Sequence, residues 1–263
     1  MLRTTITVAR EDVEEALDLL LPLLPAGVFQ TPLGELTEIA WHGDPPLQDP
    51  RPALGALLRS WEECELPDDP QAWRRLLGRG WTVGDRIHVR APEDESAPDG
   101  LEEIVVDAAS GAFGGGGHPT TRHCLELMLG LEEPGGSFAD LGCGAGILAV
   151  FAARLGYAPV IAVDVEARSV ESTRANARRN GVEVAVAVVD LIEQPPPPAA
   201  TIAANVPLQI HQVLAERLVA STVLVSGISR DGAADALEAY RAQGYDERRR
   251  VESHGWTTLL VSR

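Results

Sequence analysis

The stretch Asp140 to Gly146, D-L-G-C-G-A-G, constrains the fold of this 263-residue chain more than any other. Before it, Ser137 to Leu141 read as a short buried strand. After it, Ile147 to Leu155 (I-L-A-V-F-A-A-R-L) resume the apolar pattern at helical spacing. The spacing predicts strand, glycine turn, helix. Glycines at such a turn allow φ > 0 and let the backbone approach a ligand, while the helix start offers unpaired N–H groups. Eighteen residues beyond Gly146, the run Val160-Ile161-Ala162-Val163 ends on Asp164. A carboxylate at the tip of the second strand is placed to accept hydrogen bonds from ribose hydroxyls.

Gly142, Gly144 and Gly146 give G-x-G-x-G, whereas the dinucleotide fingerprint is G-x-G-x-x-G, with room for a pyrophosphate. A cofactor with a ribose and an adenine but no diphosphate fits better, and S-adenosylmethionine is the obvious one. From Ser137 onward strand and helix alternate, which predicts a parallel sheet with right-handed crossovers. Glu166 to Asn180 form a helix stopped at Asn180-Gly181, and Val182 to Val189 a third strand ending on Asp190. Asp190 is read in two ways, as a contact to an adenine amino group and as a solvated turn acid. Ala199 to Ala204 make the fourth strand, ending at Asn205-Val206-Pro207, where the Asn side chain can hold the methionine part of the cofactor or a substrate amine. Helix, strand and helix follow (Pro207 to Ala220, Thr222 to Ser226, Asp231 to Gln243). Two strands joined at His254-Gly255 then give the sheet its one antiparallel strand.

Composition narrows the partners. The formal net charge is −17 and uneven, with nine Arg against 21 acidic side chains up to Val105 and thirteen against 18 beyond it. Such an acidic front end repels a phosphate backbone and attracts a basic partner, so direct nucleic-acid binding is not expected; solubility alone is the other reading of the same charge. All 22 basic residues are Arg, which fits a genome-wide compositional bias better than a function. No run of about eighteen apolar residues is present and the N-terminus turns quickly to Arg10, Glu11 and Asp12, so neither a membrane span nor a secretory signal is expected, and the protein reads as cytoplasmic. Three widely spaced cysteines, Cys64, Cys124 and Cys143, argue against a disulfide framework or a metal site.

The N-terminal part, 1–65, reads as a small α+β unit. A strand (Thr4 to Val8), a helix (Glu11 to Leu24), two extended stretches (Gly27 to Thr31, Glu35 to Trp41), a helix (Pro52 to Leu58) and a strand (Glu62 to Leu66) give the ferredoxin-like β-α-β-β-α-β order. A connector with Trp73, Asp68 to Gly80, leads to strands at Trp81 to Val89 and Glu103 to Val106, so 66–105 is a connecting region before a domain at 106–263. Gly111 to Arg122 (G-A-F-G-G-G-G-H-P-T-T-R) read as a ligand-approaching loop running into a helix from Pro119. Thr120 and Thr121 can turn hydroxyls toward a ligand there. Trp256 reads as core or rim.

The segments F-G-G-G-G-H-P-T-T-R (113–122), D-L-G-C-G-A-G-I-L-A (140–149) and V-D-V-E-A-R-S-V-E-S-T-R-A-N-A-R-R-N-G-V (163–182) resemble the ribosomal-protein L-eleven methyltransferase (PrmA) family, within the class I S-adenosylmethionine-dependent methyltransferases. The resemblance implies an α/β fold, a Rossmann-like doubly wound sheet with a small N-terminal domain that holds the substrate. It implies methyl transfer to lysine or N-terminal amino groups of a large-subunit ribosomal protein; separately, the chain is expected to be a monomer. It puts Thr121, Gly142, Asp164 and Asn205 in the cofactor positions, joined by Gly144 and Asp190 from the reading above. Two segments depart from the family: its D-P-G-x-A-F-G-T-G loop reads A-A-S-G-A-F-G-G-G here, with Gly115 in place of Thr, and Asn205 begins N-V-P-L-Q-I. Other acceptors, whether protein, peptide or small molecule, and a catalytically silent cofactor-binding or scaffold protein are the alternatives. No catalytic residue is assigned; His118 is the candidate base, with helix capping as its other reading.

Overall fold

A computed structural model describes residues 2–24, 28–33, 35–42, 46–65, 80–84, 86–92, 94, 96–97, 99–107, 118–131, 135–253 and 255–263. The connector at 68–79, the glycine stretch 111–117 and His254 lie outside the described residues. The chain divides into two compact units, Met1–Leu77 and Gly78–Arg263.

The first unit holds β1 (Leu2–Ala9), α1 (Val13–Leu20), β2 (Phe29–Leu33), β3 (Leu36–His42), α2 (Arg51–Leu54) and β4 (Ser60–Glu65). Its sheet order is β2-β3-β1-β4 with every neighbour antiparallel, the split βαβ arrangement expected from the order of elements. Thr4, Ile6 and Val8 alternate inward along β1, and α1 buries Val13, Ala16, Leu17 and Leu20 at helical spacing. These meet Ile39, Trp41 and Leu54 in a core of their own, edged by a T-shaped contact of Trp41 with Trp61 at 5.4 Å.

The second unit opens with a three-stranded sheet that departs from the expected single strand over Trp81 to Val89. Gly84, at φ 51°, breaks that run into β5 (Trp81–Val83) and β6 (Ile87–Arg90), an antiparallel pair, and β7 (Glu102–Val105) joins β6 in parallel. Then come α3 (Pro119–Leu129), β8 (Phe138–Leu141), α4 (Ile147–Arg154), β9 (Val160–Asp164), α5 (Ala167–Arg179), β10 (Ala185–Val188), β11 (Thr201–Asn205), α6 (Leu208–Ala215), β12 (Thr222–Ser229), α7 (Ala233–Arg241), β13 (Asp246–Ser253) and β14 (Trp256–Ser262). They build a seven-stranded sheet in the order β10-β9-β8-β11-β12-β14-β13, in which β14 alone runs against the rest.

Strands β8 and β11 are buried along nearly their whole length, as strands covered on both faces are, and are apolar apart from Asp140, Thr201 and Asn205. One face packs Phe138, Val150, Phe151 and Leu125; the other packs Leu141, Ile202, Leu214, Val223 and Tyr240. The chain leaves β8 toward β9 and β10, then returns to the other side of β8 for β11 and β12. That reversal opens a crevice at the carboxyl ends of β8 and β11, the position at which open α/β sheets take their ligands.

Candidate functional site

At the end of β8 the chain turns on Gly142, Gly144 and Gly146, with φ of 76°, 54° and 82°. Two of the three glycines have no room for a side chain: a Cβ on Gly142 would lie 2.6 Å from Val206 Cγ1, and one on Gly146 within 2.9 Å of three Thr173 atoms. Gly142 and Cys143 both donate their main-chain N–H to Val163 O, at 2.8 and 3.0 Å.

Asp164 ends β9 and does more than face a ligand. Its Oδ2 accepts from Gly144 N and its Oδ1 from Glu166 N, both at 2.9 Å, so one carboxylate holds the glycine turn and the start of α5. Each oxygen keeps acceptor capacity for a hydroxyl. Asp190 follows β10 beside it, because Val189 N donates to Asp164 O at 2.9 Å. Its Oδ1 accepts from Ile192 N at 2.9 Å, closing a turn that Arg217 braces through Ile192 O at 2.7 Å. Val165, Val188 and Ile192 leave exposed apolar side chains around this pair of acids.

Asn205 ends β11 across the crevice, in register with Ser226 of β12. Here β12 carries a bulge at Val225/Ile228, and Gly227 at φ 81° lies so close to the Val206 main chain that a Cβ would sit 2.7 Å from Val206 O. Gly142 and Gly227 therefore grip Val206 from two strands and fix where Asn205 stands. On α3, Thr121 is buried and its Oγ1 has no partner among the described residues. Ser226 Oγ reaches Thr120 O at 3.4 Å, bringing the first turn of α3 to the end of β12. The structure thus gathers Thr121, Gly142, Gly144, Asp164, Asp190 and Asn205 at one end of the sheet.

His118 sits at the N-cap of α3, its Nδ1 2.7 Å from Thr120 Oγ1 and accepting from Thr120 N at 3.4 Å. Its ring packs against Trp256 at 5.0 Å. Burial, with His123 nearby, lowers its pKa to about 4, so it is neutral at pH 7. A neutral ring whose Nδ1 accepts carries its proton on Nε2. The geometry gives His118 the capping role.

Three features escape a reading of the sequence. Asp140, one strand position before Leu141, is buried; its Oδ2 accepts from Ala149 N at 3.1 Å near the start of α4, and its Oδ1 has no partner among the described residues. Burial, against the Ala149 bond and with Asp164 nearby, pushes its pKa up to about 7. Second, α5 turns Thr173, Asn176 and Asn180 inward; Thr173 Oγ1 donates to Gly144 O at 3.0 Å and Asn176 Nδ2 to Ala145 O at 2.9 Å. Asn176 inside an Arg-rich helix was the available signal, since Asn is a poor helix former that holds such a place by bonding main chain, whereas Asn180 caps the helix end. Third, a largely buried hydroxyl and imidazole relay, Ser253–His123–Thr258–Ser226, ties α3 to the sheet, with Ser253 at its half-buried end.

A glycine turn with no side-chain room at Gly142 and Gly146, an acid at the next strand end and buried polar atoms of Thr121 and Asp140 left to bond a ligand suit S-adenosylmethionine. Fold and site together have the form of the class I S-adenosylmethionine-dependent methyltransferases. A profile of the family described as ribosomal protein L11 methyltransferase (PrmA) matches residues 60–263. The chain belongs to that family. It is 34% identical over 203 residues to the ribosomal protein L11 methyltransferase of Burkholderia cenocepacia (strain HI2424), an alignment covering 74% of this chain and 66% of that one. It is 32% identical over 232 residues to that of Burkholderia ambifaria (strain MC40-6), covering 83% and 76%. In fold it is similar to a crystal structure of ribosomal protein L11 methylase from Lactobacillus delbrueckii subsp. bulgaricus, with a TM-score of 0.62 at 23% identity, covering 69% of this chain and 96% of that one. The chain spans about two thirds of the length of several of the relatives it matches. Among the described residues no helix is long and apolar enough to cross a membrane.

Proposed function

We propose that the chain transfers methyl groups from S-adenosylmethionine to amino groups, lysine or N-terminal, of the large-subunit ribosomal protein L11. The observation that carries this is the crevice between β8 and β11, where Asp164 fixes the glycine turn on one side and Gly142 and Gly227 fix the Asn205 segment on the other. In this reading Asp164 takes the ribose hydroxyls, Gly142 and Gly144 line the approach, and Thr121 and Asn205 hold the amino-acid end. Asp190 takes the adenine edge, whose flat face suits the exposed Val165, Val188 and Ile192.

When bound, the cofactor supplies an electrophilic methyl group on a sulfonium, with a neutral leaving group. The chain's own task is to orient the two reactants in line and to receive the amine uncharged. A lysine amine with a pKa of about 10.4 must shed its proton first. His118 is already spent on its cap, so burial of the amine and release of the proton to water serve that step.

In this reading the compact unit from Gly78 on, with β5 to β7 packed into its core, is the catalytic domain, and the acidic unit at 1–65 is the substrate-recognition domain. Its excess of acids complements a basic ribosomal protein and disfavours direct contact with nucleic acid. The enzyme then acts as a cytoplasmic monomer. Gly115 in place of the family's Thr favours a second reading, the same chemistry on another acceptor. Incubating the protein with labelled S-adenosylmethionine and purified L11, alone and among other acceptors, separates the two. Label in L11 supports the first reading, and label only in another acceptor supports the second.

A further inference from the structure

Strand β7 is the edge of its three-stranded sheet, and the chain stays extended to Asp107. Its inner edge bonds β6, with Val106 N donating to Arg90 O at 2.8 Å. Among the described residues no strand lies beside its outer edge. Instead, Asn180 accepts from Val105 N at 2.9 Å and donates to Val105 O at 2.8 Å, while Asn176 accepts from Asp107 N at 2.9 Å and donates to Asp107 O at 3.1 Å.

Each side-chain amide thus replaces a peptide group of a missing neighbour. The match is geometric: four residues of helix rise about 6 Å and two residues of strand about 6.6 Å, so Asn176 and Asn180 meet alternate residues of one strand edge. Asn180 spends its remaining N–H bond on Asn176 O within the helix, at 2.8 Å. Asn176 spends its own on Ala145 O, inside the cofactor turn, at 2.9 Å. Asn176 is wholly buried, so each of these bonds replaces water that cannot reach the site.

We propose that Asn176 is a positioning residue for cofactor binding, its side-chain amide locking the glycine turn at Ala145 to the main chain at Asp107. The inference rests on cofactor binding at this turn and not on the identity of the acceptor. Asn180 is the internal control: same helix face, same clamp on the same strand, no bond to the turn. Removing Asn176 takes the side-chain donor from Ala145 O and the side-chain acceptor from Asp107 N, and leaves Asp107 O with Ser172 Oγ at 3.4 Å; removing Asn180 disturbs β7 and the end of α5 without touching the glycine turn.

The test uses the full chain and four proteins: wild type, Asn176→Ala, Asn176→Asp and Asn180→Ala. Asn176→Asp keeps the side-chain volume and the acceptor for Asp107 N but loses both donated bonds, and it serves if Asn176→Ala does not fold. Calorimetric titration with S-adenosylmethionine and amide hydrogen exchange without cofactor are read for each, with thermal unfolding as the measure of stability. The Asn176 variants are expected to bind at least fivefold more weakly and to exchange at least fivefold faster at Gly144 and Gly146. Asn180→Ala is expected to lose stability with neither effect. A change below fivefold in the Asn176 variants, or an equal change in Asn180→Ala, overturns the proposal. Failure of the wild type to bind refutes the cofactor assignment itself, and since no acceptor is present an error in the acceptor cannot disturb the result.

Discussion

At the scale of single residues, the two acids of the crevice have different work. Asp164 is wired to two main-chain N–H groups, whereas Asp140 has one such bond and an oxygen without a partner among the described residues. Because its pKa is raised to about 7, folded Asp140 keeps its proton between about pH 4 and 7 while the unfolded chain has lost it. The folded state then binds more protons, and Asp140's contribution to stability falls as pH rises through that window. Asp140→Asn should therefore gain on wild type by up to about 1.4 kcal/mol per pH unit there, read by urea unfolding at pH 5 and 7. Parallel profiles would show that Asp140 is ionised. His211 has the opposite sign. It is fully buried, Nε2 donating to Ser226 O at 2.8 Å and Nδ1 3.0 Å from Tyr240 Oη, and burial lowers its pKa to about 4. Its contribution is present above about pH 6.5 and is lost as pH falls toward 4. His211→Phe should cost about 1–3 kcal/mol at pH 7.5 and less at pH 5, by the same measurement. Asp164 was legible in the sequence because a strand pattern ends on it. Neither Asp140's orphaned oxygen nor His211's partners were, since both depend on residues brought together only by packing.

Among the elements, the strand ends matter most, and they are held by close backbone approach. Gly227 at φ 81° touches the Val206 main chain, while Gly244 at φ 84° has nothing within 4 Å of where its Cβ would be. Gly244→Ala should cost about 1 kcal/mol for backbone conformation alone. Gly227→Ala should cost more, by about 1–3 kcal/mol, and should also weaken S-adenosylmethionine binding by displacing Asn205, as urea unfolding and titration calorimetry would measure. Equal losses and unchanged binding would deny Gly227 that role. The alternation of strand and helix after Ser137 was readable because the parallel strands are short, mostly apolar runs bounded by turn residues and polar strand ends. The hairpin at Gly84 was not, because Thr82, Val83 and Ile87 continue a strand-like pattern on both sides of the turn. The completion of the β7 edge by Asn176 and Asn180 was hidden for another reason: it joins residues about 70 apart.

Across the whole molecule, the second unit contains both faces of its sheet and two cores of its own, and the first unit closes a separate core. In the proposed reading, cofactor chemistry belongs to the second unit and substrate docking to the first. Deleting residues 1–65 is expected to leave S-adenosylmethionine affinity within about twofold, on the order of 0.4 kcal/mol, while protein methylation is lost. Normal methylation by the shortened chain would sever the acidic unit from substrate docking. The reading of the whole protein as a methyltransferase of L11 faces its most direct test in one preparation: calorimetric titration with S-adenosylmethionine, followed by transfer of labelled methyl to purified L11, for wild type and Asp164→Ala. Binding with transfer in the wild type, and loss of both in Asp164→Ala, is the predicted result. Binding without transfer to L11 would contradict the assigned acceptor, and absence of binding would contradict the enzyme.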